Sequence, residues 1–244
     1  MKTNKVVLGV RFNNKSFRLQ SIMGALTDDF YIECDENKKL GTGYVTKFSF
    51  GTDPAEPFVQ FSDDNKCNVI SVRTDSFIFS KGSISDSASV NVDNAIEEFE
   101  LLWKFFNKRL QFPSVRRLGL IAETHIDAKS KDSAPNQLIE SLLSINGPKF
   151  SGRFNLTWED REINSSKVIP DYETGDFWNT IYTFYPSEMD RDFPVEGKIN
   201  ANIDVQKYYN PAKSDPIKEL RSLRAKFTAK KANFKEQLKQ IGLV

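Results

Sequence analysis

Twice along this chain, runs of alternating apolar and polar residues lead into one long amphipathic helix, once near the middle and once at the C-terminus. Period-two alternation buries one side of a strand and wets the other, which favours antiparallel pairing over a parallel sheet covered on both sides. The clearest runs are Phe150, Gly152, Phe154, Leu156 and Trp158, and then Ile199, Ala201, Ile203 and Val205, each separated by polar neighbours. The helices follow the 3.6 period instead. Ile96, Phe99, Leu102, Trp103, Phe106 and Leu110 form one stripe over about Asp93–Arg109, with Asn94 and Glu97 spaced for a capping box. Leu220, Leu223, Phe227, Phe234, Leu238 and Ile241 form the other, over about Pro216–Ile241. The expected fold class is α+β: antiparallel sheet in two meander-plus-long-helix halves, the helices packed on one sheet face. The halves are residues 1–130 and 131–244, as two domains or one continuous domain, and the chain is long enough to bury a core either way.

Between these landmarks the pattern predicts strands at Val6–Phe12, Gly41–Phe50, Pro57–Ser62, Asn68–Ser80, Val115–Ile126 and Phe177–Tyr185. It predicts shorter helices at Ser16–Thr27, ended by Asp28-Asp29, and at Asn136–Leu143. Twenty phenylalanines point to an aromatic-rich core. Formal net charge is only +1, so no bulk field draws nucleic acid or an anionic membrane. Two cysteines, Cys34 and Cys67, are too few for a disulfide framework, and the N-terminal apolar run is too short for a signal peptide or a membrane span. The expectation is a reduced, cytoplasmic protein with no membrane association.

The segment Val69-Ile70-Ser71-Val72-Arg73-Thr74-Asp75-Ser76-Phe77-Ile78-Phe79, the aromatic helix around Trp103, and Val115-Arg116-Arg117-Leu118-Gly119-Leu120 carry a resemblance. With Asn202-Ile203-Asp204 and a C-terminal helix holding Phe227 and Phe234, they resemble a sporadically distributed family of uncharacterised bacterial proteins of about this length. The resemblance covers roughly residues 40–241. Ala122-Glu123-Thr124 departs from that family's third motif, and residues 81–92 lack its tyrosine. It implies no catalytic residues; its patchy distribution implies genes carried on mobile or antiviral-defence islands.

Chemistry has few places to reside. His125 is the one histidine, and it shares a strand face with Glu123 and Asp127, a polar row that could hold a metal or form the wet side of a sheet. Asp171, Glu196 and Lys198 match a loose metal-dependent nuclease pattern of two carboxylates and a lysine. Neither Gly-x-x-x-x-Gly-Lys-Ser/Thr nor Gly-x-Gly-x-x-Gly occurs, so no glycine-loop nucleotide site and no cofactor are expected.

Surfaces are more promising. Between Asp215 and Ile241 lie Lys218, Arg221, Arg224, Lys226, Lys230, Lys231, Lys235 and Lys239 against three acids, a net +5 that leaves the rest of the chain at −4. Such a helix can hold phosphates or an acidic partner, or dock with its lysines snorkelling around the apolar stripe; their wheel positions flank the stripe, which favours docking. Arg153, Asn155 and Thr157 beside Asn200, Asn202 and Asp204 form a second polar surface on strand faces. The composite expectation is a non-enzymatic binding or assembly protein engaging a macromolecular partner, protein or a second copy first, within a bacterial defence or mobile-element system. The alternatives are nucleic-acid binding through the basic helix, and a metal-dependent nuclease or hydrolase.

Overall fold

The structure, a computed structural model, describes residues 2–37, 40, 47–51, 53, 55–65, 67–83, 88–127, 134–143, 155–162, 168–186, 189–190, 193–194 and 197–244. In chain order the elements are β1 (Lys2–Phe12), α1 (Arg18–Glu36), β2 (Lys47–Gly51), β3 (Phe58–Ser62), β4 (Asn68–Arg73), β5 (Ser76–Gly82) and α2 (Val92–Leu110). Then follow β6 (Val115–Asp127), α3 (Ala134–Leu143), β7 (Leu156–Arg161) and β8 (Phe177–Pro186). A two-residue ladder, β9 (Met189–Asp190) with β10 (Phe193–Pro194), precedes β11 (Lys198–Lys213) and α4 (Leu220–Gln240), which a 3-10 turn at Pro216–Glu219 introduces.

Nine strands form one antiparallel sheet in the order β2-β3-β4-β5-β1-β6-β11-β8-β7. β6 pairs with β1 on one side and β11 on the other, so the two halves of the chain share a single sheet. Residues from all four helices join one hydrophobic cluster with Val6 and Leu8 of β1, Leu118 and Leu120 of β6, and Ile203 and Val205 of β11. By the alternation of a strand, Val7, Gly9, Ile121, Asp204 and their neighbours then face the opposite side, where no helix packs among the described residues.

The helices lie where their stripes require. Ile96, Phe99, Leu102, Trp103, Phe106 and Leu110 of α2 are all buried, and rings interlock beneath them: Trp103 lies 5.8 Å from Phe77 and 5.0 Å from Phe112, and Phe30 lies 4.6 Å from Phe61 and 5.1 Å from Phe106. Such edge and offset contacts add about 0.5–1.5 kcal/mol each to area burial, which accounts for the phenylalanine usage.

Three expectations are corrected. The cap of α2 is Asn91, whose side chain accepts from the backbone N–H groups of Asp93 and Asn94; Asn94 and Glu97 lie within the helix. α1 does not end at Asp28-Asp29: Phe30 and Cys34 extend the buried side begun by Leu19 and Leu26, while Asp29 meets Arg109 at 2.7 Å. The run Asn68–Ser80 is two strands, broken at Thr74-Asp75, where Phe12 N–H and Ser16 N–H donate to the carbonyls of Asp75 and Thr74. Residues 41–46 of the predicted strand Gly41–Phe50 lie outside the described residues.

Candidate functional site

The basic helix is docked. Leu220, Leu223, Phe227, Phe234 and Leu238 are buried, and Phe234 packs its ring 4.9 Å from Tyr182. Lys230 reaches Asp160 at 2.8 Å and Glu162 at 3.3 Å, Lys226 pairs with Glu162, and Arg224 meets Asp93 at 2.6 Å. Lys231 turns inward and donates to the hydroxyl of Thr3 at 2.9 Å; its burial, with the charge of Lys235 nearby, lowers its pKa. Lys239 pairs along the helix with Glu236. Lys218, Arg221 and Lys235 remain exposed, with no ion pair among the described residues, but Arg221 and Lys235 stand roughly 21 Å apart along the axis. No continuous cationic face survives docking.

The other sequence-derived positions divide cleanly. Asp171 caps its own turn, accepting from the N–H groups of Glu173 (2.7 Å) and Thr174 (3.0 Å), and these bonds lower its pKa. Its loop contacts the far end of β11, Tyr172 packing on Tyr208, whereas Lys198 begins that strand. Ten registered pairs from Tyr208–Phe177 to Ile199–Pro186 separate the two ends by roughly 30 Å, so Asp171 and Lys198 share no site. Glu196 and Arg153 lie outside the described residues. Glu123 and His125 sit half-buried and Asp127 exposed on the open face. Glu123 pairs with Lys5 at 3.3 Å, and the amide Nδ2 of Asn4 lies 3.1 Å from His125 Nε2. Among the described residues no three His, Cys, Asp or Glu side chains group as metal ligands. Cys34 is buried and its thiol is pushed up to about 12, first by desolvation and then by the charge of Glu33, so it cannot supply a thiolate near neutral pH.

The polar β11 face is largely engaged in holding the sheet. Asn202 Nδ2 donates to the Tyr185 hydroxyl at 3.3 Å and its Oδ1 accepts from Thr124 N–H at 3.3 Å, while the Thr124 hydroxyl donates to the Ala201 carbonyl. Asn200 is buried between His125 and Tyr185 in register. Asn155 is exposed and accepts from Thr157 at 3.3 Å.

What stands out is a cleft of about 550 Å³ over the middle of the open face. Its origin is visible in two short sequences: Gly9-Val10-Arg11 on β1 and Arg117-Leu118-Gly119 on β6 mirror each other. Antiparallel pairing therefore sets Gly9 against Gly119 and Arg11 against Arg117, with Val7 against Ile121 beyond them. Both matches are locally unfavourable. Glycine weakens a strand interior, and like charges directly opposite repel. Arg73 on β4 adds a third guanidinium to the same rim. Among the described residues only Arg11 of the three is ion-paired, with Asp75 at 3.1 Å. Partial burial raises Asp75, but hydrogen bonds from Ser76 and Arg11 and the charge of Arg11 outweigh it and leave its pKa lowered.

On the far wall a polar chain runs inward. Arg117 donates to the Tyr208 hydroxyl (3.2 Å), Tyr208 donates to Gln206 Oε1 (3.0 Å), and Gln206 Nε2 donates to Asp204 Oδ2. Asp204 Oδ1 is buried and accepts no hydrogen bond among the described residues. Burial pushes this carboxyl up to about 6, against the opposing hydrogen bond from Gln206 and charge of Arg117. A Cβ placed on Gly119 would lie 3.8 Å from that oxygen, so Gly119 borders it on the cleft side.

No protein-family model matches this chain, and no curated protein sequence does. The cleft must be judged on its own chemistry. Of its residues only Asp204 was marked by the polar-face pattern; Arg11, Arg73 and Gly9 were not. The signal that could have found Arg11 and Gly9 is the mirrored Gly-x-Arg and Arg-x-Gly pair; Arg73 has no such signal.

Proposed function

We propose that this chain is a non-enzymatic binding protein that engages a macromolecular partner through the open face of its sheet, taking an anionic group of that partner between Arg11, Arg73 and Arg117. The cross-strand Arg11–Arg117 match carries this reading. Arg11 and Arg117 have polar partners in Asp75 and the Tyr208 hydroxyl, but their guanidiniums still meet across an uncovered face, and a phosphate or carboxylate placed between them converts that repulsion into charge-assisted, bidentate recognition. The basic helix supports the same conclusion from the other side, because Arg224, Lys226, Lys230 and Lys231 are committed to intramolecular partners.

Titration calorimetry with tripolyphosphate as the probe tests the assignment on three proteins. Wild type should bind, with affinity falling as salt is added; Arg11→Gln with Arg117→Gln should weaken binding about tenfold or more; Arg221→Gln with Lys235→Gln should change it little. Loss in the helix variant with retention in the sheet variant would move the site to α4 and reject the reading.

A further inference from the structure

The rim accounts for an anion but not for the floor. Gly9 and Gly119 lie side by side on adjacent central strands, bounded across the sheet by Ile78 on β5 and Gln206 on β11, and along the strands by Val7 and Ile121. Strand spacing of about 4.8 Å and a two-residue step of about 7 Å make a floor roughly 10 by 7 Å that carries no side chain of its own, with Ile78 and Gln206 leaning to its two margins. Neither glycine is there for an unusual backbone, since neither has a positive φ. Nor does crowding demand them: an added Cβ meets side chains at 3.4 Å (Ile78) and 3.6 Å (Gln206), within ordinary contact. Glycine in a strand interior without a conformational or steric reason marks a place where another group approaches the backbone closely.

The walls say what that group is. Apolar Val7, Ile78 and Ile121 surround a flat surface, and one edge offers Gln206 and the unpartnered Oδ1 of Asp204 as hydrogen-bonding groups. About 7 Å along the strands from the glycines stand Arg11 and Arg117. A flat apolar bed, a polar edge and an anion clamp one step away match a planar heterocycle joined to a phosphate. The volume suits a ligand of that size.

We infer that the cleft binds a nucleotide, its base lying on Gly9 and Gly119 with an edge against Asp204 and Gln206, and its phosphate between Arg11 and Arg117. This rests on the anion-binding reading above and names the group that the anion belongs to. The site differs in kind from glycine-rich phosphate loops at helix N-termini: here the glycines receive the ring and side chains receive the phosphate. The carboxyl of Asp204 suits either edge of a base, since it accepts a hydrogen bond when ionised and donates one when protonated.

Calorimetry separates the parts. The probes are the four ribonucleoside 5′-monophosphates, ribose 5-phosphate as an anion without a ring, and a short single-stranded oligonucleotide of mixed sequence. At least one monophosphate should bind wild type about tenfold tighter than ribose 5-phosphate. Gly119→Ala should remove most of that difference while leaving ribose 5-phosphate binding and the thermal midpoint undiminished. Arg11→Gln with Arg117→Gln should weaken both ligands. If the oligonucleotide binds more tightly than every monophosphate, with the same loss in Gly119→Ala, the nucleotide is presented by a strand; the reverse order makes it a free nucleotide. Equal affinity for monophosphates and ribose 5-phosphate, or indifference to Gly119→Ala, overturns the base assignment and leaves the anion site standing. No binding of any phosphate to wild type overturns both.

Discussion

The two faces of the sheet are made by the same strands and obey opposite rules. On the covered face the central strands contribute branched or aromatic side chains, and α2 seals part of them with Phe99, Trp103 and Phe106. Local preferences there largely agree with the global fold, the hydroxyls of Thr180 and Tyr209 being buried exceptions. On the open face, one residue away along β1 and β6, the sheet sets glycine against glycine and arginine against arginine, and buries a carboxylate oxygen without a partner. Consistency across levels is what makes a sequence fold, and its violations concentrate where a protein does something else. The covered face supplies the surplus stability that the open face spends.

Truncation at matched positions should separate the faces most strongly. Trp103 is almost completely buried, with the rings of Phe12, Phe77, Phe99 and Phe112 within 6.5 Å, so Trp103→Ala should cost about 3–5 kcal/mol. Ile78, an apolar side chain of the open face at 36% exposure, should cost less than about 1 kcal/mol when replaced by alanine. Chemical denaturation of both variants checks the pair. A loss at Ile78 comparable with that at Trp103 would mean that the open face is packed in the native protein.

The covered face was also the legible one. The stripe of α2 from Ile96 to Leu110 and the stripe of α4 are local patterns, and local periodicity reports burial directly. α1 escaped at its C-terminal half because Asp28-Asp29 resembles a helix stop, when one of the pair only faces Arg109 across a gap between helices. The docking of α4 was half legible: flanking lysines indicated it, but their partners Asp160 and Glu162 stand in and beside β7, past Trp158 where the apolar alternation ends; residues 150–154 of that run lie outside the described residues. The cleft was illegible for a different reason. Its residues come from strands distant in the chain, and a one-residue change of register would turn Gly9, Arg11 and Arg117 to the other side. Which strands are neighbours is decided by the closed core, not by any segment alone. Asp204 reads in sequence as one more polar position of a wet face, because nothing local distinguishes an oxygen that finds no donor.

Next in size is the pH response of Asp204. An ordinary aspartate titrates near 3.8, and in the folded chain this one is pushed up to about 6 by burial. A native state that holds the proton more tightly than the unfolded chain binds more protons between about pH 4 and 6, so its stability falls as pH rises through that window. The expected contribution is roughly 2–3 kcal/mol, lost in full above it. Asp204→Asn has no such proton to lose: its stability should stay flat across the window and exceed wild type by about that amount near neutral pH. Urea unfolding at three pH values gives the comparison. A wild type that gains stability between pH 4 and 6 relative to Asp204→Asn would reverse the sign and show Asp204 to be a stabilising carboxylate, which would place it with the covered face rather than against it.

The smallest effect bears most directly on the contrast. If Gly119 is present for the fold, as a close approach or a bend in the sheet, then Gly119→Ala must destabilise. If it is present to keep a floor open, alanine should help, because it restricts the unfolded chain and its Cβ meets only ordinary contacts at 3.6 Å from Gln206 and 3.8 Å from Asp204. The expected gain is about 0.5–1 kcal/mol, a rise of roughly 1–4 °C in thermal midpoint for a chain of this size. A covered-face replacement that adds two methyl groups has no comparable space and should lose stability by overpacking; Ala122→Val, on the same strand and fully buried, serves as that control. A midpoint that falls for Gly119→Ala as it does for Ala122→Val would make the two faces equally filled. A midpoint that rises for one and falls for the other would show, by one small enlargement on each side of β6, which face the fold has completed and which it has left open.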